Sequence, residues 1–353
     1  MATIREKALN QWHVQIRRKG WPYQHATFRR KKDAQAWARK TEAEMDRGLF
    51  VNQDAARHTT FADLIELYIK HVTAYRPSEK SRVSETLRLK RFLRTKPKLC
   101  SHAIINLQPE MFEAYRDRRL KQPASRGKSL LKTNKFLAPS TVKRELNLFK
   151  RVIDYKKRKL GLTYNPVNTE DVKRPVVNDE RDIRLTNEEM TRFMQECARA
   201  RNPLLLPIVI IAFETGARQG SILKLTWNDI NIVRRTALLR GVKNSRNPEK
   251  IINHSIGLTP YAVDVLNSLP HVEDRIFPIT ANALRLAFNR ARQKANVTHF
   301  RFHDTRHERI SSLFEAGWSM IQVMAQSGHR DPKSVQRYAN LSGDFLAQEL
   351  AKL

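Results

Sequence analysis

The first fifty residues carry two short apolar patterns in succession. Trp12, Val14 and Ile16 occupy every second position, which predicts a half-buried strand. A second strand is predicted over residues 23–28, and the apolar residues that follow share one face of a helix until a glycine ends it. Together these patterns predict a small α+β domain over residues 1–50.

The middle of the chain has helical periodicity alone. The predicted helices begin near Thr60, Pro77-Ser78, Pro109 and Pro139-Ser140, and proline suits the first turn of a helix. The pattern predicts an all-α domain over residues 59–165, after a polar linker over residues 51–58. A second polar stretch, residues 166–182, is predicted to be an extended linker.

A larger domain is predicted over residues 183–353. It opens with a capping box, in which Thr186 caps a helix and Glu189 bonds back to it. The most apolar stretch, residues 203–213, is shorter than the roughly 18 residues of a membrane span and predicts a buried helix. A strand, a polar turn and a returning strand are predicted over residues 238–256. The expected fold class is multidomain: a small α+β domain, an all-α domain, and a mainly α domain with a small β-sheet.

The charge of the chain indicates a polyanionic partner. Lys and Arg number 66 against 35 Asp and Glu, which gives a net charge of +31. Such an excess destabilises a fold through self-repulsion unless a polyanion binds. Nucleic acid is the usual partner, and an anionic membrane surface is the alternative. Because the basic residues are spread over the whole chain, nucleic acid is favoured and no membrane association is expected.

Two local clusters of basic residues are candidates for contact with a nucleic-acid backbone. The first cluster lies at the junction of the second strand and the helix, and the second lies in the loop between the third and fourth predicted helices. The alternative for both is an exposed, solvated group of charges. The candidate residues are Arg29, Arg30, Lys31 and Lys32 in the first cluster, and Arg126, Lys128, Lys132 and Lys135 in the second.

The cysteines and the N-terminus bear on the expected compartment. Cys100 and Cys197 lie far apart in sequence and have no metal-ligand spacing. No disulfide scaffold is expected, and a reducing interior is the default. The N-terminal residues contain no apolar signal region, so secretion is not expected.

Four short stretches near the end of the chain carry residues suited to chemistry. Each has an ordinary interpretation when it is taken alone, as a surface arginine, a solvated lysine, a structural histidine or a core tyrosine. The glycine before the arginine of the first stretch would allow that side chain to point into a site. The stretches are Thr215-Gly216-Ala217-Arg218, Lys243 in the predicted hairpin turn, His303-Asp304-Thr305-Arg306-His307, and Gly328-His329 followed by Arg337-Tyr338. Pro332 predicts the start of a short helix that carries Tyr338.

A metal site is the alternative for the histidine pair. His303 and His307 lie one helical turn apart, a spacing that metal ligands use. The adjacent glutamate of the zinc-protease motif is missing, and the sequence offers no clear third ligand. No metal and no cofactor is expected.

The four stretches together fit phosphoryl transfer by a nucleophile of the protein. Guanidinium groups can bind the non-bridging phosphate oxygens and match the charge of the transition state. A tyrosine can hold a DNA phosphate covalently, so that religation needs no ATP. The phenol needs a proton acceptor and the leaving 5′-oxygen needs a proton donor.

At these residues the chain resembles the tyrosine recombinase (phage integrase) family, over residues 183–341. The resemblance implies the tyrosine recombinase fold, with Tyr338 attacking the scissile phosphate to leave a 3′-phosphotyrosine and a free 5′-hydroxyl. Lys250 is the alternative to Lys243. The other implied roles are phosphate neutralisation by Arg218 and Arg306, protonation of the leaving oxygen by Lys243, proton transfer from the tyrosine by His303, and a phosphate hydrogen bond from His329.

The resemblance also covers the upstream regions and the partners. Residues 59–165 resemble the helical, SAM-like core-binding domain of the family, and residues 1–50 resemble its arm-type DNA-binding domain. The implied partner is double-stranded DNA with core and arm sites, bound by a homotetramer that passes through a Holliday junction. Integration or excision of a phage or mobile element in the cytoplasm of a bacterial host, associated with the nucleoid, is the expected setting. The participation of a host DNA-bending protein and an excisionase stays open.

Three residues depart from the family pattern. Ser221 stands where an acidic residue is frequent, Thr305 replaces a leucine between the histidine and the arginine, and Ser327 replaces the leucine before Gly-His. The alternative functions are a type IB topoisomerase, a DNA-binding protein that has lost its activity, and a basic RNA-binding protein. The segment that resembles an arm-type domain argues against the topoisomerase, which shares the chemistry. The complete set of residues from Arg218 to Tyr338 argues against a protein that has lost its activity, and an RNA-binding protein would explain the charge but not the motifs.

Overall fold

The computed structural model describes residues 2–125, 132–178, 183–242 and 252–336, with Tyr338, Ala347, Leu350 and Ala351; residues 125, 132–135 and 242 are described by their backbone. The chain divides into two compact units, residues 1–179 and 180–353. Among the described helices none has the length and apolar character that a membrane crossing requires.

The N-terminal unit begins with an antiparallel sheet and a helix. The sheet has the order β1-β2-β3, and its inner face packs Val14 and Ile16 against Ala34, Ala38 and Met45 of the helix. The two predicted strands and the predicted helix are confirmed. The elements are β1 (Ala2–Ala8), β2 (Gln11–Ile16), β3 (Gln24–Phe28) and α1 (Lys31–Asp46).

Helices make up most of the rest of this unit. They surround a core in which the rings of Phe61, Phe92, Phe112 and Phe149 meet, mainly edge to face. The predicted helix starts are confirmed. The helical core and the core beside the sheet belong to the same compact unit, so the domain boundary near residue 50 stays a prediction. The helices are α2 (Asp54–His58), α3 (Phe61–His71), α4 (Glu79–Thr95), α5 (Pro97–Cys100), α6 (Pro109–Leu120) and α7 (Pro139–Lys156).

The structure corrects three sequence-based expectations in this unit. The segment 51–58, predicted as a linker, contains α2, because Ala56 is buried against the helical core. The predicted all-α domain also contains strands, because the loop predicted between its third and fourth helices holds an antiparallel pair, β4 (Pro123–Ser125) and β5 (Lys132–Phe136), between α6 and α7. The predicted second linker is not extended throughout, since the amides of Asn168 and Val172 donate to the carbonyl oxygens of Asn165 and Asn168 in turns. Val167 and Val172 are also buried in the helical core.

The C-terminal unit is mainly helical with one small sheet. Its antiparallel sheet has the order β6-β7-β8. The capping box predicted at Thr186 and Glu189 is confirmed. The elements are α8 (Asn187–Ala198), α9 (Leu205–Thr215), α10 (Gln219–Ile222), β6 (Ile230–Asn231), β7 (Thr236–Val242), β8 (Ile252–Gly257), α11 (Pro260–Asn267), α12 (Ala281–Lys294), α13 (Asp304–Glu315), α14 (Met320–Ser327) and α15 (Lys333–Gln336).

Two hydrophobic clusters organise this unit. The larger cluster surrounds α9, whose apolar residues are buried as the sequence predicted. A smaller cluster joins α13, α14 and α15, and its members are Ile310, Leu313, Phe314, Val323, Val335 and Tyr338. The candidate nucleophile is therefore a packed member of a core.

Candidate active site

A left-handed glycine ends α9 and positions Arg218. Gly216 has φ 64° and ψ 14°, a conformation that glycine adopts without strain. The Thr215 hydroxyl accepts a hydrogen bond from the amide of Ala217 at 3.1 Å, which fixes the turn. Arg218 follows in an extended conformation and precedes α10, half-buried. The predicted glycine break is present, and it ends α9 two residues before Arg218.

Arg306 lies on α13 and joins three parts of the site. The residue is 3% exposed. Its Nη1 donates to the carbonyl oxygen of Gly216 at 2.7 Å, and its Nη2 donates to the carbonyl oxygen of Ser327 at 2.7 Å. Nη2 also lies 3.1 Å from Nε2 of His329. One buried guanidinium thus connects the ends of α9 and α14 and touches a second predicted site residue.

The turn after α14 presents His329. Gly328 ends the helix in the left-handed conformation, with φ 68°. The hydroxyl of Ser327 lies 2.7 Å from Nδ1 of His329. The ring of His254 on β8 lies so close to Gly328 that an added Cβ would approach it to 3.1 Å. The turn is therefore packed on one side by the sheet and held on the other by Arg306.

A side-chain amide ties the same turn to the sheet. Oε1 of Gln326 accepts from the amide of Gly257 at 2.9 Å, and its Nε2 donates to the carbonyl oxygen of Gly257 at 2.9 Å. Nε2 of His254 lies 3.4 Å from the carbonyl oxygen of Gln326. These contacts connect the end of β8 to the end of α14.

Tyr338 lies just past α15. Its amide donates to the carbonyl oxygen of Val335 at 2.9 Å, and the residue is 9% exposed. The tyrosine was predicted on a helix that begins at Pro332, but α15 ends at Gln336, so the expected helical position is corrected. Its ring centroid lies 5.0 Å from that of His307 and 6.4 Å from that of His329.

His303 occupies the position before the first residue of α13. Its carbonyl oxygen accepts from the amide of Arg306 at 3.2 Å, and its side chain is exposed. The ring centroids of His303 and His307 are 5.0 Å apart. No group of three potential metal ligands occurs among the residues that the structure describes.

The electrostatics of the site favour an anion. Burial lowers the pKa of Arg306 to about 10, and the charge of Arg218 adds to this effect. Burial also lowers the pKa of Arg218. Negative charge on Tyr338 acts in the opposite direction on both guanidinium groups. Two partly desolvated cations are thus held near one phenol, and a phosphate between them would relieve the cost of their burial.

Several predicted residues belong to the N-terminal unit or lie outside the residues that the structure describes. Lys243 and its alternative Lys250 lie outside the described residues, and β7 ends one residue before Lys243. Arg126 and Lys128 also lie outside the described residues, while Lys132 and Lys135 are placed on β5 by their backbone. The predicted cluster from Arg29 to Lys32 is exposed at the N-terminal end of α1.

The site includes residues to which the sequence assigned no role. His307 contacts the tyrosine ring, and Gln326 anchors the turn of His329. The carbonyl oxygens of Gly216 and Ser327 accept hydrogen bonds from Arg306. Because these are backbone atoms, the residue types in the sequence do not predict this contact. The signal for His307 was available in the His-Asp-Thr-Arg-His stretch, where only the first histidine was assigned.

The three departures from the family pattern are accommodated locally. Ser327 is buried and contacts both Arg306 and His329. Thr305 is fully buried, and its hydroxyl donates to the carbonyl oxygen of Phe302 at 2.8 Å. The amide of Ser221 donates to the carbonyl oxygen of Arg218 at 2.8 Å, which supports the turn into α10.

Comparison with known proteins identifies the family. Residues 183–343 match the profile of the Phage integrase family. A shufflon-specific DNA recombinase of Escherichia coli is 33% identical over 239 residues, which are 67% of this chain and 58% of that protein. Residues 183–343 of this chain belong to the tyrosine recombinase (phage integrase) family. A putative integrase/recombinase of Haemophilus influenzae, 26% identical, aligns with 95% of this chain and 86% of its own length.

Solved structures of integrases have the same fold. The Tn1549 transposon integrase, in complex with a circular intermediate DNA, matches with a TM-score of 0.66 at 16% identity, covering 83% of this chain and 99% of that one. A lambda integrase tetramer bound to a Holliday junction matches with a TM-score of 0.59 at 17% identity, covering 93% of this chain and 96% of that one. The predicted fold class is confirmed. The chain spans 58% of the length of the shufflon recombinase, so likeness in fold and family is what these matches establish.

Proposed function

We propose that this chain is a site-specific DNA recombinase that breaks and rejoins DNA through a covalent bond between Tyr338 and a 3′-phosphate. The observation that carries the proposal is the meeting of two buried or half-buried arginines and a histidine around one tyrosine. Such a set supplies a nucleophile together with positive charge for a phosphate in a partly dry site. No metal and no ATP is needed for these steps.

The cleavage step would use the side chains in distinct roles. The oxygen of Tyr338 forms a bond to phosphorus while the bond from phosphorus to the 5′-oxygen breaks. Arg218 and Arg306 neutralise the non-bridging oxygens, and His329, held beside Arg306, donates a hydrogen bond to the phosphate. The leaving oxygen takes a proton from a general acid, for which we propose Lys243. His303 takes part in removing the proton of Tyr338. Religation reverses the same exchange of bonds, so the energy of the DNA backbone is retained.

The N-terminal region would add a second contact with DNA. The exposed residues Arg29, Arg30, Lys31 and Lys32 lie at the N-terminal end of α1, where the helix macrodipole disfavours positive charge. A phosphate backbone bound there would reverse that penalty. We therefore extend the proposal to arm-type DNA sites for residues 1–50 and to core sites for the helical region and the catalytic region, with Arg126, Lys128, Lys132 and Lys135 among the contacts.

The assembly we propose is a homotetramer on two duplexes, exchanging strands through a Holliday junction to integrate or excise a mobile element. It would act in the cytoplasm of a bacterial host, where its DNA lies. A host DNA-bending protein and an excisionase are candidate additional partners. The lambda integrase tetramer on a Holliday junction provides the precedent for the assembly.

The experiment that tests the chemistry is relaxation of a supercoiled plasmid in EDTA, followed by trapping with detergent. It compares the wild type, Tyr338→Phe and Tyr261→Phe, a matched loss of a hydroxyl at a tyrosine that is 52% exposed in the same unit. The wild type and Tyr261→Phe are expected to relax the plasmid and to form a covalent protein–DNA adduct. Tyr338→Phe is expected to do neither.

A second experiment separates a recombinase from a topoisomerase. Two copies of the attachment core are placed as direct repeats on one plasmid, and the excised circle is measured by amplification across the new junction. An excised circle supports the recombinase. Relaxation without exchange at cognate sites favours a topoisomerase, and an adduct that survives Tyr338→Phe would contradict the assignment of the nucleophile.

A further inference from the structure

The ring of His307 lies nearer to the candidate nucleophile than the ring of His329 does. Its ring centroid is 5.0 Å from that of Tyr338 at an interplanar angle of 60°, against 6.4 Å for His329. The contact is edge to face, so an edge of one ring meets the face of the other. His307 lies one residue after Arg306 on α13, and the proposed cleavage step gives it no role.

The ring contacts continue from His307 to His303. The centroids of these two imidazoles are 5.0 Å apart at 86°, one helical turn along the chain. His307 is half-buried, whereas His303 is exposed. A series of rings thus runs from the buried tyrosine, through a half-buried histidine, to a histidine in contact with solvent.

We propose that His307 is the first acceptor of the Tyr338 proton and that His303 passes this proton on to solvent. The inference rests on the proposed function and assigns a further residue to its first step. As the bond from the Tyr338 oxygen to phosphorus forms, the phenolic proton moves to the neutral imidazole of His307, which becomes imidazolium. Transfer to His303 and then to water restores the neutral ring. The leaving 5′-oxygen receives its proton from a different group, so charge and protons balance.

The surroundings of the phenol support proton loss at this place. Arg218 and Arg306 both interact electrostatically with Tyr338, so positive charge stabilises the oxygen after its proton leaves. The carboxylate of Glu308, next to His307 in sequence, is bound by Arg184 at 2.6 Å and is engaged elsewhere. Among the described residues, His307 is in ring contact with His303 and Tyr338 and follows Arg306 directly on α13.

The test measures covalent adduct formation on supercoiled plasmid under single-turnover conditions from pH 5 to pH 9. His307→Gln removes the proton acceptor and is expected to slow adduct formation about 100-fold, a typical effect of a general base. It should also flatten the acid side of the pH profile, since imidazole titrates between about pH 5 and 8. His299→Gln changes an exposed histidine of the same unit and should match the wild type.

Two further variants separate proton transfer from packing. His307→Phe keeps a ring against Tyr338 without a proton acceptor, and it should be as slow as His307→Gln. Replacing Tyr338 by 3-fluorotyrosine gives a more acidic phenol, and it should recover at least tenfold of the rate lost in His307→Gln while changing the wild type little. Thermal unfolding of each variant reports its fold.

The outcomes distinguish this inference from the proposed function. If the wild type forms the adduct, three results would each overturn the inference alone. They are a rate of adduct formation in His307→Gln within threefold of the wild-type rate, a normal rate in His307→Phe, or an unchanged pH profile together with no gain from 3-fluorotyrosine. A wild type that forms no adduct, even on its cognate core, would overturn the proposed function and this inference with it.

Discussion

The guanidinium of Arg306 donates a hydrogen bond of 2.7 Å to the carbonyl oxygen of Gly216, two residues before Arg218. The two arginines proposed to hold one phosphate are thereby linked through the backbone. Because Gly216 has a positive φ, the direction of its carbonyl depends on a conformation that other residues adopt at a cost. The spacing of the two cations is therefore set by a glycine.

Gly216→Ala should weaken both the fold and the cleavage activity. A Cβ would strain the left-handed backbone and approach Cγ of Arg309 to 3.2 Å. We expect a loss of about 1–3 kcal/mol in the free energy of unfolding of the C-terminal unit, measured by urea denaturation. Gly317→Ala is the control, since Gly317 has φ 79° with nothing within 4 Å of its Cβ position. Equal rates of adduct formation in the two variants would show that the carbonyl of Gly216 does not set the position of Arg218.

Gln326→Ala should slow cleavage although residue 326 is three positions from His329. The substitution removes both hydrogen bonds to Gly257, each worth about 0.5–1.5 kcal/mol, and releases the end of α14 from β8. We expect the rate of adduct formation to fall about tenfold with DNA affinity retained. Gln195→Ala, at an exposed glutamine of α8, is the control. A normal rate in Gln326→Ala would mean that Arg306 alone holds the turn.

Ser327→Ala should isolate the support given to His329. The variant keeps the carbonyl oxygen that binds Arg306 and loses the hydroxyl 2.7 Å from Nδ1 of His329. One hydrogen bond of about 0.5–1.5 kcal/mol corresponds to a rate lower by about 2- to 13-fold. Single-turnover adduct formation measures it, with Ser312→Ala as the control, because that hydroxyl bonds to a carbonyl of its own helix. A larger loss in the control variant than in Ser327→Ala would exclude this role.

Arg119→Ala should destabilise the N-terminal unit strongly. Arg119 and Glu145 form a buried ion pair, and the hydroxyl of Tyr115 donates to the same carboxylate at 2.7 Å. The hydrogen bonds to Glu145 raise the pKa of Arg119, and burial raises the pKa of Tyr115. Loss of the arginine leaves a buried carboxylate without its cation, which costs about 3–5 kcal/mol.

The control for this prediction is Lys150→Ala, which breaks the exposed pair of Lys150 and Asp154 on α7. That change should cost about 0.5 kcal/mol or less. Urea denaturation monitored by circular dichroism compares the two. Similar losses would mean that water reaches Glu145 when Arg119 is removed.

Sequence patterns predicted those helices and strands whose own residues are enough to specify the local structure. The apolar residues of α9 and the capping box at Thr186 specify a buried helix and a helix start locally. β1 was not predicted, because its residues are mostly polar and charged and it is stabilised by pairing with β2. The pair β4 and β5 was predicted as a loop for the same reason, since the pairing of each strand with the other defines it.

The same distinction between local signals and tertiary contacts applies to the candidate site. Residue types at characteristic spacing predicted Arg218, His303, Arg306, His329 and Tyr338, and the catalytic assignments stay predictions. The contacts that hold them come from backbone carbonyls and from Gln326, which tertiary structure brings from distant segments. The position of Tyr338 just after α15 likewise depends on its packing in a core and not on the helical signal of Pro332.

The burial of Tyr338 has a consequence for the protein in storage and in the cell. A phenol that packs with Ile310, Leu313 and Val335 presents little surface to dissolved reagents. Nitrating or iodinating agents should therefore modify exposed tyrosines such as Tyr75 and Tyr261 well before it. Slow labelling of Tyr338 beside fast labelling of Tyr75 and Tyr261 would therefore be a chemical signature of this packing.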